Sequence, residues 1–143
     1  MQPLTRRFLI TAACFLIAGI SLGLGLLVNR ELFNNWPSPY LVSAHTHLLL
    51  AGAVLEMIIG TALWLFPRAP GTALTPLPRS ATVSWWALTL GTAIRALAEA
   101  GRTWSDIPHL RWCVVVGGVL QVAGLACGII ALRGRVRVSI RIR

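Results

Sequence analysis

The chain has 143 residues, room for a single domain (1–143). Hydrophobic residues make up 56% of it and charged residues 12%, well below the roughly 25% charged of soluble domains, so too few polar side chains remain to build an aqueous shell. Thirteen arginines, no lysine and four acidic residues give a net charge of +9, but the arginines sit between and beyond long apolar runs, not along one helix face, which argues against a nucleic-acid binder. The lack of lysine is the mark of a GC-rich genome.

Four apolar stretches follow in order. The first, 8–28, carries no charge at all. Arg6 and Arg7 precede it, as in an export signal, but it is too long for a signal's apolar core and no small-residue cleavage site follows, so it is expected to stay as a helix. The second, 40–66, is the longest and carries one carboxylate, Glu56. The third, 81–98, is the shortest and carries one arginine, Arg95. The fourth, 110–132, has Arg111 near its start. A bilayer core needs about 20 helical residues, so all four are expected to span, the third least comfortably. The runs are continuous, not alternating, and too long for barrel strands, which selects helix. Prolines mark their ends: Pro37 and Pro39, Pro67, Pro76 and Pro78, and Pro108. The expected fold is an all-α, four-helix membrane bundle followed by a basic tail, 133–143.

Arginine placement sets the expected orientation. With four spans, Arg6, Arg7, Arg68, Arg79, Arg133, Arg135, Arg137, Arg141 and Arg143 share a side, against Arg30, Arg95, Arg102 and Arg111 on the other. Both termini are therefore expected in the cytoplasm, with loops 29–39 and 99–109 outside. The tail reads as a topology anchor touching anionic lipid, or as a partner-docking segment. Gly19 and Gly23, and Gly124 and Gly128, form GxxxG pairs that let helices approach closely, within the chain or between copies. Cys14, Cys113 and Cys127 all fall in apolar runs and none forms a CxxC pair, so they are expected to be buried small hydrophobes.

Ionisable groups inside a membrane need a reason. His45 and His47 open the second helix and His109 opens the fourth, which runs the same way, so all three imidazoles share one depth near the outer interface. Two residues apart on a helix, His45 and His47 project about 200° from each other and cannot both ligate one small ion. That arrangement suits a flat cofactor held by histidines from two helices, or else interfacial histidines bonded to water and headgroups. Glu56 lies eleven residues after His45, nearly on the same face and about 16 Å deeper. It reads as a proton relay, a bond to a partner helix, or a protonated and satisfied carboxyl. Arg95 and Glu99, four apart, form a local ion pair, or Arg95 joins Arg102 or Arg111 to meet an anion such as haem propionates.

The second helix carries a resemblance. Ala44-His45-Thr46-His47-Leu48 opens it and Trp64-Leu65-Phe66-Pro67-Arg68 closes it. This resembles the second transmembrane helix of the catalytic subunit of haem–copper oxidases and nitric oxide reductases, on the branch of the C-type oxidases. The segment from Trp85 to Arg95 is similar to the third helix of short, subunit I-like relatives. The resemblance covers about 40–132 and implies a cytoplasmic (inner) membrane protein of a bacterial or archaeal cell. It also implies that His45 is an axial ligand of a b-type haem. This chain carries none of the later-helix ligands of the binuclear centre, so reduction of oxygen or nitric oxide by it alone is not expected. His47 is not a haem ligand in the large enzymes, and His109 has no counterpart there.

The sequence therefore points to a membrane protein that binds haem b (protoporphyrin IX iron) for electron transfer or for binding small gases. His45 is the first ligand and His109, or His47 from another copy, the second, with Arg95 and Arg111 near the porphyrin. Little interior remains for a haem beside a packed core, which implies self-association, a dimer first. Two other readings stand beside it: a haem-free structural or assembly subunit of a respiratory complex, and a copper-handling protein using His45, His47 and His109.

Overall fold

The computed structural model describes residues 2–66 and 77–141, with backbone alone at 134 and 136–141. Pro67, Arg68, Pro76 and Arg143, used above, lie outside the described residues. Every regular element described is helical. α1 is Pro3–Phe33, α2 is Pro39–Leu65, α3 is Arg79–Gly101 and α4 is Pro108–Arg141.

The helices outrun the apolar runs at most ends because local chemistry sets the boundaries. Pro3, Pro39 and Pro108 each open a helix, where the missing N–H takes nothing from the ladder. Ser38 caps α2, its hydroxyl accepting from the Tyr40 amide at 3.3 Å. α1 closes on Asn34 in the left-handed region (φ 50°), and the Asn35 amide bonds back to the Asn29 carbonyl at 3.2 Å. α2 is not uniform. Its middle, Leu48–Leu55, is π-helical between the α-helical stretches Pro39–His47 and Glu56–Leu65. Nothing in the apolar pattern signals that widened segment.

α1, α2 and α4 as far as Arg133 are long and apolar enough to cross a membrane. At 1.5 Å per residue, the 31 residues of α1 extend about 46 Å, well beyond a hydrocarbon core of about 30 Å. α3 is long enough, at 23 residues, but does not meet the same apolarity. The reason lies in its packing. Ser84, Thr92 and Glu99 are buried against neighbouring helices, so its polar groups are kept from the surroundings.

Successive helices pack antiparallel. Gly60, Gly52, Gly19 and Gly23 seat Phe8, Phe15, Leu49 and His45 along the α1–α2 seam. Gly91, Gly117, Gly124 and Gly128 let α3 and α4 approach until a β-carbon at Gly91 would stand 2.9 Å from the Gly117 carbonyl. Both GxxxG pairs are thus engaged inside the chain: Gly19 and Gly23 hold α2, and Gly124 and Gly128 hold Leu88, Ser84 and Ile59. At the end of the bundle that holds the termini, all four helices meet in a core of Phe8, Ile59, Leu63, Ala81, Trp85, Leu88 and Ala131. There the Arg135 guanidinium donates to the Leu63 and Phe66 carbonyls, two acceptors left open where α2 ends.

The cysteines correct the sequence reading. Cys14 and Cys113 are exposed and Cys127 is partly so, all three as free thiols. α1 and α4 turn broad apolar faces outward, and a small apolar thiol suits such a face as well as a core.

Candidate functional site

The end opposite the termini gathers the ionisable residues. His45 and His47 leave α2 on different faces and meet different helices. The His45 imidazole lies in the notch between Gly19 and Gly23 of α1, where a β-carbon at Gly23 would stand 2.9 Å from Nδ1. Its Nδ1 is 2.8 Å from the Gly19 carbonyl oxygen. A carbonyl only accepts, so Nδ1 carries the hydrogen, and in the neutral ring Nε2 keeps the lone pair.

His47 turns to α3. Its Nδ1 donates to the Ser43 carbonyl at 2.8 Å, with the Ser43 hydroxyl at 3.3 Å and Glu99 Oε2 at 3.7 Å. Glu99 is 3% exposed, and its Oε1 accepts from Ser43 Oγ at 2.8 Å and from Arg95 Nε at 3.0 Å. Arg95 Nη1 continues to Gln121 Oε1 at 3.3 Å, and Gln121 Nε2 donates to Thr92 Oγ1 at 3.1 Å. One polar seam thus ties α2, α3 and α4 together. Of the two readings for Arg95, the structure displays the ion pair with Glu99.

Two further arginines at this end, Arg102 and Arg111, are also engaged. Arg102 stacks over the Tyr40 ring at 4.2 Å, donates to its hydroxyl at 2.9 Å and pairs with Asp106 at 3.6 Å. Exposed Arg111 pairs with Asp106 through both Nε and Nη2. Hydrogen bonding from Arg111 holds the Asp106 carboxyl below its ordinary range, with help from the charges of Arg111 and Arg102. His109, in the first turn of α4, is exposed.

Among the described residues, no three of His, Cys, Asp and Glu converge as a metal site would require. The structure does not gather His45, His47 and His109: the first faces α1, the second faces α3 and the third lies outside. An open apolar groove of about 580 Å³ runs along α4 beside Arg95, lined by Val115, Gly118, Val119, Val122, Ala123 and Ala126, with no histidine on its wall.

Sequence reasoning missed several members of these networks. Ser43, Thr92 and Gln121 complete the seam, Tyr40 shelves Arg102, and Thr11 and Thr89 bond Glu56. The lone amide of Gln121 in an apolar run was the available signal. Threonines in membrane helices give none, because they also satisfy themselves on their own backbone.

Comparison of the chain with family models, with curated proteins and with solved structures returned no match.

Proposed function

We propose that this chain is a multi-pass protein of the cytoplasmic membrane, with both termini in the cytoplasm, that binds b-type haem through His45. The single observation behind this reading is the Nδ1–H bond from His45 to the Gly19 carbonyl. Histidines that ligate metals almost always donate the other ring N–H to a carbonyl or carboxylate, which fixes the tautomer and the ring. The resemblance of the second helix to haem–copper oxidase subunit I supports the same residue.

The residues present fit one axial ligand. His45 is oriented by its bond to the Gly19 carbonyl, which leaves Nε2 as the atom that would meet iron. A second ligand would come from outside this fold, since His47 is held by Ser43 and Glu99 and His109 is exposed in the first turn of α4. A second copy supplying its exposed His109 would complete the site, which would make the haem protein a dimer. Bound haem supplies a one-electron iron couple and, with one position open, a site for small gases. The chain's own part is to hold the imidazole in the glycine notch and keep water away. Arg95 and Arg111 already have carboxylate partners, so the proposal assigns them no propionate.

The test is the absorption spectrum of protein purified in detergent with ample haem, oxidised and reduced. A Soret band with sharp reduced-state bands, lost in His45→Ala and weakened by His109→Ala, is the expected outcome. Colourless protein that co-purifies with larger membrane partners would select the haem-free subunit reading, which the pairing of Arg95, Arg102 and Arg111 within the chain favours. Copper without porphyrin would select the metal-handling reading, for which the described residues gather no three-ligand site.

A further inference from the structure

Glu56 takes no part in the proposed haem site, yet it is the most enclosed ionisable group described. It is 0% exposed, where α2 meets both α1 and α3. Its Oε1 accepts from Thr89 Oγ1 at 2.8 Å, and its Oε2 contacts Thr11 Oγ1. Thr11 Oγ1 also stands 2.9 Å from the Arg7 carbonyl and 3.2 Å from the Phe8 carbonyl, and it accepts from the Trp85 indole N–H at 3.2 Å.

Counting hydrogens decides between two arrangements. A threonine hydroxyl has one hydrogen to give and two lone pairs to receive, a carbonyl only accepts and an indole only donates. If Glu56 were ionised, the Thr11 hydrogen would have to turn to it and away from the Arg7 carbonyl. A full negative charge would then lie inside the helices with no ion pair to it among the described residues. The Arg7 guanidinium lies over the Trp85 ring at 5.5 Å from its centroid. A buried, unpaired carboxylate is far more costly than a neutral acid. If Glu56 carries a hydrogen on Oε2, each contact finds a role. Oε2–H donates to Thr11, Thr11 donates to the Arg7 carbonyl, the indole fills the second Thr11 lone pair, and Thr89 donates to Oε1.

The geometry points to Glu56 as a proton-binding site at the junction of α1, α2 and α3, with Thr11 and Thr89 as the hydroxyls that hold the neutral acid in place. Among the described residues, Glu56 is in no ion pair, its partners on α1 and α3 are the hydroxyls of Thr11 and Thr89, and Arg7 on α1 lies beyond the Trp85 ring. A chain of contacts leads outward from Glu56 through Thr11, Trp85 and Arg7 to a cleft of about 290 Å³. That cleft is lined by Gln2, Arg7 and Thr82 at the end holding the termini. Release of the proton turns the Thr11 hydroxyl hydrogen from the Arg7 carbonyl to Glu56 Oε2, so the bond between α1 and α2 persists with its direction reversed. This inference is independent of haem.

The test is infrared spectroscopy of vesicle-reconstituted protein at neutral pH, with isotope-labelled glutamate; the chain has only Glu31, Glu56 and Glu99 to label. A carbonyl stretch of a protonated acid is expected, shifted by the label, absent from Glu56→Gln and moved in frequency by Thr89→Val. Glutamine reproduces the pattern, its carbonyl accepting from Thr89 and its amide donating to Thr11, so Glu56→Gln should melt close to the wild type. The proposal is overturned by the absence of a protonated-acid band, by a band that survives Glu56→Gln, or by one that vanishes when sodium is added. Should Glu56→Gln fail to accumulate, Thr89→Val decides: an unmoved band overturns the assignment.

Discussion

α1 and α3 belong to the same bundle and obey opposite rules. α1 is apolar on every side and buries only Thr5, Phe8, Ala12 and Gly19, while Ile17, Ile20, Leu24 and Leu27 stand outward. α3 is the least apolar helix and the most enclosed, with Ser84, Trp85, Thr92 and Glu99 turned inward and Val83, Leu90 and Leu97 outward. Apolar composition thus reports how much of a helix meets hydrocarbon, not whether it belongs to the membrane. With lipid as solvent there is little hydrophobic gain in bringing apolar helices together, and close packing with internal hydrogen bonds takes its place.

The contrast can be broken from the α3 side. Glu99→Ala leaves Arg95 without its carboxylate, half of a pair whose side chains are 24% and 4% exposed. Stability in detergent should fall by about 3 kcal/mol, and Arg95→Met/Glu99→Met should recover much of it. Next come the glycines. Gly91→Leu drives a side chain into the α4 backbone and should lower stability by about 1–3 kcal/mol. Gly25→Ala on α1, where nothing lies within 4 Å, should be neutral or stabilising by up to about 1 kcal/mol through helix propensity alone. Equal effects at the two positions would erase the distinction between the helices. Thr89→Val removes one hydroxyl from Glu56 and should lower stability by about 0.6–1 kcal/mol, read from the same unfolding curves.

The smallest effect belongs to the exposed loop. Asp106 has a folded pKa below its unfolded value of about 3.9, so its pairing with Arg111 contributes above that value and is lost as pH falls through the lowered folded one. Asp106→Asn should flatten this acid limb and lower stability at neutral pH by the same small amount that the wild type loses across it.

Long apolar runs and bounding prolines made the four helices legible, and the two-residue offset of His45 and His47 matches their facing different helices. What stayed hidden was what depends on facing. The π-helical stretch of α2 buries the small residues Ala51, Gly52 and Ala53, and no period announces it. The cysteines were read as buried because an apolar run does not say which side meets protein. Arg95 and Glu99 were visible as a pair, but Ser43, Gln121 and Thr92, which complete their seam, come from three helices whose register only the fold establishes. His45 seats against α1 while His109 stands exposed at the start of α4, a difference in facing that a shared depth does not announce.

Central to the proposed function is that the imidazole seated in the α1 glycine notch is the one that binds iron. Gly23→Ala tests it most directly, because it pushes on the His45 ring without removing it. The measurement is the reduced-minus-oxidised spectrum of haem-loaded wild type and Gly23→Ala at matched helix content. Sharp reduced-state bands in the wild type that broaden or vanish in the variant are the predicted result. Identical bands in both would contradict it.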